Sequence, residues 1–221
     1  MYGGMWMSSD LIRLGKADLP AAAVVHARAF LTDPFTTFML KDLTKRPRQL
    51  FAMMALVLRY ACRYGEVYAT PGMEAVAAWI PPGDGHESSW RMIRVGALPM
   101  IWKIGPAVIR TYLRVEGLAE EVHTRYITEP HWYLSQVGVE PELQGKGYGL
   151  RVLTPTLKRI DGEGKAVYLE TLNPGAVPFY QKLGFHICEE VHLPEGGPPM
   201  WSMLREPLSG QCVYHTPGIK R

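Results

Sequence analysis

Residues Leu143 to Val152 read LQGKGYGLRV. Gly145, Gly147 and Gly149 alternate there, with Gln144, Lys146 and Tyr148 among them, just ahead of a helix-like run. Glycines let a backbone approach a ligand closely. Successive N–H groups can then converge on its oxygens, and a helix start adds partial positive charge. That is the chemistry of phosphate binding. Two familiar cradles fail. The G-x-x-x-x-G-K-[ST] loop needs Ser or Thr after Lys146, where Gly147 stands. The G-x-G-x-x-G fingerprint needs glycine at Leu150, although Glu170 lies near the spacing of a ribose-binding acid and keeps a dinucleotide reading open. What fits is Q-x-x-G-x-G at Gln144, Gly147 and Gly149, or else a glycine-rich turn that holds no ligand.

A second stretch bears on the choice. Asn173 to Phe185 reads NPGAVPFYQKLGF. The order strand, Q-x-x-G-x-G, helix, strand, N-x-x-A-x-x-F-Y-x-x-x-G-F resembles the GNAT superfamily of N-acetyltransferases. WYLSQVGVEPELQGKGYG, YLETLNPGAVPFYQKLGF and LPEGGPPMWSMLREP resemble most the puromycin N-acetyltransferase-like members. The resemblance is strong over Trp132 to Pro207, visible from Ile12 to Phe30, and absent over about 84–130.

The resemblance implies acetyl transfer from acetyl-CoA to an amine, with no metal. It implies an α/β (α+β) fold: a mixed sheet of about six to seven strands, helices on both faces, and a V-shaped split between two central parallel strands, Trp132–Val139 and Ala166–Glu170. CoA would lie in that wedge. Backbone groups of Val137, Gly138 and Val139 would pair with its pantetheine, and Gly138 would leave room for close approach. The N–H of Val137 would polarise the thioester carbonyl and stabilise the oxyanion. Residues Gln144 to Gly149 would hold the pyrophosphate. Asn173 matches the residue that contacts the cofactor arm; a helix cap ahead of Pro174 explains it equally. Tyr180 matches the acid that protonates the departing thiolate, and a phenol near pKa ~10 is protonated at neutral pH. A core tyrosine is the plainer account.

The general base is less direct. Strand alternation puts Tyr133, Ser135 and Val137 on one face, where relatives carry Glu or His, and this chain has neither. Glu170 is the substitute expected, with a structural hydrogen bond as the competing account; a water chain or no dedicated base is a further alternative, and His131 is a lesser candidate. The acceptor amine is expected near Asp33 and Phe35, with Tyr133, Ser135, Trp79 and the aromatics of a helical insertion at about 88–128 as walls. For Asp33 an Asx-turn before Pro34 is the blander account.

The elements that must position these groups alternate. A short strand at Leu11–Leu14 leads to a helix at Ala17–Phe30 with Asp18 as cap. A loop follows at Leu31–Thr37, then a helix at Arg46–Tyr64. A strand pair, Val67–Ala69 and Glu74–Ile80, turns at Pro71-Gly72. The helical insertion should break near Pro99 and Pro106. After it come the strand Trp132–Val139, a helix at Gly147–Asp161 kinked at Pro155, the strand Ala166–Glu170, a helix at Val177–Leu183, and strands at Phe185–His192 and Met200–Arg205. Residues 1–207 read as one domain and 208–221 as a flexible tail.

Composition fits this reading. Hydrophobic residues make up 47% and charged residues 20% of 221, with net charge +3; that balance is too mild for a nucleic-acid partner. Cys62, Cys188 and Cys212 have neither disulfide nor zinc spacing. The greasy run Leu50–Leu58 is far short of the ~20 residues of a membrane span. The expectation is a cytoplasmic enzyme, monomer or homodimer, with acetyl-CoA as co-substrate and a small-molecule amine as acceptor, antibiotic-like or metabolic. No nucleic acid and no membrane partner is expected. The alternatives are a protein amino-group acetyltransferase and a non-catalytic CoA-binding sensor.

Overall fold

The computed structural model describes residues 11–83 and 89–207. The expected tail at 208–221 lies outside them, as does Cys212. The elements run β1 (Ile12–Arg13), α1 (Leu19–Ala29), α2 (Pro34–Met39), α3 (Arg46–Tyr64), β2 (Glu66–Ala69) and β3 (Ala75–Ile80). Then come α4 (Ser89–Arg94), α5 (Ala97–Ile104), α6 (Pro106–Tyr126), β4 (Trp132–Val139) and α7 (Tyr148–Gly162). The chain closes with β5 (Val167–Thr171), α8 (Val177–Lys182), β6 (His186–His192) and β7 (Pro199–Arg205). One seven-stranded sheet has the order β1-β2-β3-β4-β5-β7-β6. Among the described strands only β4 and β5 pair in parallel.

β3 shows why both faces are covered. Its sequence AVAAWI is apolar throughout, and every residue is buried. Val76, Ala78 and Ile80 join the cluster built on α1 and α3. Ala75, Ala77 and Trp79 join the cluster built on α7 and α8. A strand buried on both faces reads as a continuous apolar run rather than an alternating one. α3 has Pro47 in its first turn and buries Leu50, Met54, Leu58 and Ala61 along one stripe. Across the other face, Arg205 of β7 grips Asp161 of α7 with two bonds of 2.6 and 2.8 Å and donates to Leu183 O. This bidentate pair locks α7 and α8 against the sheet.

Several local expectations are corrected. Residues 34–39 form α2 rather than a loop. Asp33 Oδ1 accepts the Phe35 N–H at 3.0 Å, and Pro34 has the φ a first helical turn needs. Within the insertion, Pro99 sits in the first turn of α5, where its missing N–H is no loss. The break falls at Gly96 instead, whose φ is +97°. Asp18 precedes α1 but turns its carboxylate back to the Gly15 N–H. α7, as expected, continues past Pro155, and ends at Gly162.

The registers of β4 matter most for function. Trp79 pairs with Leu134 while Ala78 pairs with Gln136, so Ser135 is the extra residue of a β-bulge. On its other side β4 pairs with β5 only at Trp132↔Val167 and Tyr133↔Tyr168. Beyond Tyr133 the two parallel strands part, whereas pairing with β3 continues to Val139. That divergence is the V-shaped split.

Candidate active site

The glycine loop lies at the open end of the split. Gly145 and Gly147 have φ of +74° and +88°, a region that costs ordinary L-residues about 1–2 kcal/mol. A Cβ on either would meet nothing within 4 Å, so glycine serves the backbone path there, not packing. The N–H groups of Gly147, Tyr148, Gly149 and Leu150 have no main-chain acceptor outside the helix among the described residues. They are the free donors of the α7 N-terminus. Gln144 Nε2 donates to Val139 O at 3.2 Å and ties the loop to the end of β4. Lys146 is exposed beside it. Free N–H donors, a helix start and a cation on an open loop fit a pyrophosphate. Gly149 differs: a Cβ there would come within 3.0 Å of Phe179 Cζ, so this glycine lets α7 pack on α8. Tyr148 packs on the same cluster.

Along β4 the bulge changes which side chains share a face. Gln136 and Gly138 face α1, whereas Val137 and Val139 pack on the opposite side with the α7 cluster. Tyr133 faces the α1 side. The alternation expected for Tyr133, Ser135 and Val137 is therefore broken at Ser135, because an inserted residue shifts the pleat by one. Gly138 also has a packing role. A Cβ there would lie 2.7 Å from His26 Cδ2 and 3.3 Å from Ala29 Cβ. The close approach that requires glycine is that of α1. The main-chain groups of residues 135–139 that face β5 have no ladder partner, so they remain open to a ligand in the split.

The turn after β5 gathers three expected residues. Asn173 Oδ1 accepts the Gly175 N–H at 2.9 Å, and its Nδ2 donates to Asp33 Oδ2 at 3.3 Å. Asp33 thus has one oxygen on the α2 cap and the other on Asn173. Its carboxyl is raised by burial, and the Asx-turn account describes its geometry. Tyr180 is buried, packed edge-on against Phe179 and Phe185. Burial, and then the nearby Asp33 charge, raise its phenol well above the ordinary value, so it carries its proton at any physiological pH. Phe35 is half-buried against the α1–α3 cluster.

Glu170 lies on the α6 side of β5. Tyr133 Oη donates to its Oε2 at 2.8 Å. Burial pushes the carboxyl up to about 8 against that bond, and the charges of Glu116 and Glu120 on α6 add to the rise. Glu116 is itself raised to about 7, first by desolvation, against a hydrogen bond from Tyr112, and further by Glu120. Both α6 glutamates are exposed, so they stand at the surface of α6 and not in the core. Next to them a cavity of about 390 Å³ is walled by Ile80, Glu120, His123, His131 and Tyr133 among others.

Two expected residues are placed elsewhere. Trp79 is fully buried on the α7 face, so it walls no acceptor pocket. His131 has both nitrogens engaged: Nδ1 meets Glu129 O at 2.7 Å and Nε2 meets His123 Nε2 at 2.8 Å. A carbonyl only accepts, so Nδ1 carries the proton, and burial favours the neutral ring. Its remaining lone pair then receives the His123 N–H, which leaves His131 no free base.

Sequence reasoning missed Glu116, Glu120 and His123. Their spacing, i, i+4 and i+7 on one helix, was the available signal. His123 stacks on Tyr168 at 4.0 Å and 7° and so holds α6 over β5. Among the described residues no group of three or more His, Cys, Asp or Glu could hold a metal.

Known proteins resemble this arrangement. The sequence profile of the Acetyltransferase (GNAT) family matches residues 104–185. An uncharacterised N-acetyltransferase of Schizosaccharomyces pombe is 25% identical over 205 residues, which span 88% of this chain and 82% of that protein. A crystal structure from Corynebacterium glutamicum, described as histone acetyltransferase HPA2 and related acetyltransferase, superposes with a TM-score of 0.63 at 20% identity, over 93% of this chain and 99% of that one. An agmatine N-acetyltransferase gives 0.56 at 17% identity, over 90% and 100%.

Proposed function

We propose that the chain, which the family profile and its relatives mark as similar to acetyl-CoA-dependent GNAT acetyltransferases, acetylates the primary amine of a small cationic molecule by direct attack. One observation carries this reading: Glu116 and Glu120 on α6 stand close enough to Glu170 for their charges to help raise its carboxyl, and Glu120 borders the cavity beside Tyr133. A cation entering among them would favour their charged forms. A small amine with a second positive charge suits three carboxyls better than a lone ammonium does. The agmatine N-acetyltransferase acts, by its name, on such a molecule, and the motif resemblance to puromycin-type enzymes also favours a small acceptor over a protein.

The chemistry follows from the placement of this chain's groups. The α7 N-terminus and Lys146 hold the CoA pyrophosphate, and the open edge of β4 holds the pantetheine. Glu170, converted to carboxylate by the incoming cation, takes the ammonium proton, and Tyr133 orients it. The free amine attacks the thioester carbonyl, and an N–H of β4 near Val137 stabilises the oxyanion. The carbon–nitrogen bond forms, the carbon–sulfur bond breaks, the Tyr180 phenol protonates the thiolate, and the extra proton on the new amide nitrogen restores the phenol while Glu170 returns its proton to solvent. Positioning alone can supply about 7–11 kcal/mol of barrier reduction. The free thiols of Cys62 and Cys188 suit a cytoplasmic setting.

Calorimetry with acetyl-CoA, followed by thiol release over a panel of diamines, monoamines and peptides, tests the reading. The expected result is binding of acetyl-CoA and fastest release with diamines. Release with peptide N-termini alone would transfer the assignment to protein acetylation. Binding without release from any amine would make the chain a sensor.

A further inference from the structure

The helical insertion has an outer face that the acetyl-transfer site does not use. On α5, Leu98, Ile101 and Trp102 fall at i, i+3 and i+4 and are 54%, 38% and 90% exposed. An aromatic residue that exposed cannot wall the acceptor pocket, which corrects the role expected of Trp102. Beside them on α6, Ile109 and Leu113 (61% exposed) continue the apolar strip. Between the two helices runs a groove of about 400 Å³, lined by Ile101, Pro106, Ile109 and Leu113, with Arg110 and Arg114 at its rim.

The charge on this segment has one sign. From Ser89 to Val115 the chain carries Arg91, Arg94, Lys103, Arg110 and Arg114 and no acidic residue. Arg91 turns inward over the Tyr64 ring, and Arg114 meets Glu195 at 2.8 Å. Arg94, Lys103 and Arg110 are exposed. Apolar side chains with a tryptophan, bordered by Lys and Arg, are the make-up of a helix that lies in the headgroup layer of an anionic bilayer. A second copy of the chain is disfavoured as the covering partner, because a two-fold interface would bring the same basic rows together.

We propose that the outer face of α5 and the start of α6 docks peripherally on an anionic lipid surface. Leu98, Ile101, Trp102 and Leu113 enter the headgroup layer while Arg94, Lys103 and Arg110 meet lipid phosphates. No described helix is long and apolar enough to cross a membrane, and none is needed. This departs from the expectation of no membrane partner, which rested on the lack of a long apolar run. It does not depend on the acceptor assignment.

The test is co-sedimentation of the full chain with phosphatidylcholine vesicles, with and without phosphatidylserine. Binding should require phosphatidylserine and fall as salt rises. Arg110→Gln should lower the partition about five-fold. The pair Leu98→Ser with Trp102→Ser should abolish it. Circular dichroism and acetyl-CoA binding by these surface variants should match the parent chain, so a lost interaction is not lost folding. No binding to phosphatidylserine vesicles, equal binding to neutral ones, or full binding by the double variant would each overturn the proposal. Light scattering that shows a dimer split by Trp102→Ser would overturn it too, by assigning the face to a second copy.

Discussion

The proposed donor side and the proposed acceptor side of the split are built by different means. The donor side is one contiguous stretch, Val137 to Gly149, and it offers mostly main chain: unpaired strand edge, free N–H groups of the α7 N-terminus, and two glycines with positive φ. The acceptor side is assembled from β4, β5 and α6, and it offers side chains: Tyr133, Glu170, Glu116 and Glu120. A cofactor shared by many enzymes can be held by groups every residue possesses. A particular acceptor must be chosen by side chains. Substitutions on the two sides should therefore separate in kinetics.

The largest effect is expected where the two sides meet. Tyr180→Phe removes the acid while keeping the ring between Phe179 and Phe185. Loss of a positioned acid typically costs about 10²–10⁴-fold, so kcat should fall by that range while acetyl-CoA affinity measured by calorimetry stays near parental. Equal loss in affinity would mean that Tyr180 holds the cofactor instead, and the division between donor and acceptor would blur there.

Glu170→Gln should come next, with kcat/KM lowered about 10²-fold at neutral pH. The parent's kcat/KM should rise with pH through about 8, the value to which burial lifts this carboxyl, and the variant should lose that limb. Stability supplies an independent reading. The folded chain binds this proton more tightly than the unfolded one, whose carboxyl titrates near the ordinary 4.5. The carboxyl therefore costs no stability below pH about 4.5 and progressively destabilises the fold as pH rises from there to about 8. Thermal unfolding of Glu170→Gln should lack that decline. An unchanged pH–rate profile would leave Glu170 as a structural partner of Tyr133 only.

How the two sides are built also explains what could be read from the sequence. The conformation of the glycine loop was legible because it follows from a local pattern, glycines beside a helix start. The element order and the span of α3 were legible from apolar spacing. The Ser135 bulge was not, because nothing in WYLSQVGV marks an inserted residue; it appears only when Trp79 finds Leu134 and Ala78 finds Gln136. The packing of Gly138 on α1 and the burial of Trp79 were hidden for the same reason. Their partners, His26 and the α7 cluster, are far away in sequence. α2 was missed because six residues carry too little periodicity, although the Asp33-Pro34 cap was in plain view. Glu116 and Glu120 were hidden among the aromatics of the insertion, which drew the attention that the carboxylates needed.

Gly138→Ala sharpens the comparison through stability. The added methyl would meet the His26 ring at 2.7 Å. That ring cannot swing away freely, since its nitrogens are bonded to Gln136 Oε1 at 3.0 Å and Val76 O at 3.1 Å. Overpacking of this kind costs about 1–3 kcal/mol, readable as a lower midpoint in urea. If glycine there serves packing with α1, the KM for acetyl-CoA should change little at temperatures where the variant is folded. A large rise in that KM without loss of stability would restore Gly138 to the cofactor.

The smallest effect tests the acceptor side alone. Glu116→Gln keeps the size of the side chain and its reach towards Tyr112 while removing a negative charge. With a diamine acceptor, loss of one partly solvated ionic contact of about 1 kcal/mol should raise the acceptor KM about five-fold, and a neutral-tailed monoamine should show no change. The Glu170 limb of the pH profile should move down, because Glu116 is one of the charges that lift that carboxyl. The acetyl-CoA KM should stay constant throughout. A diamine KM that stays put while the acetyl-CoA KM rises would show that α6 serves the donor, and the side-chain-built acceptor site would lose the charge that singles out its substrate.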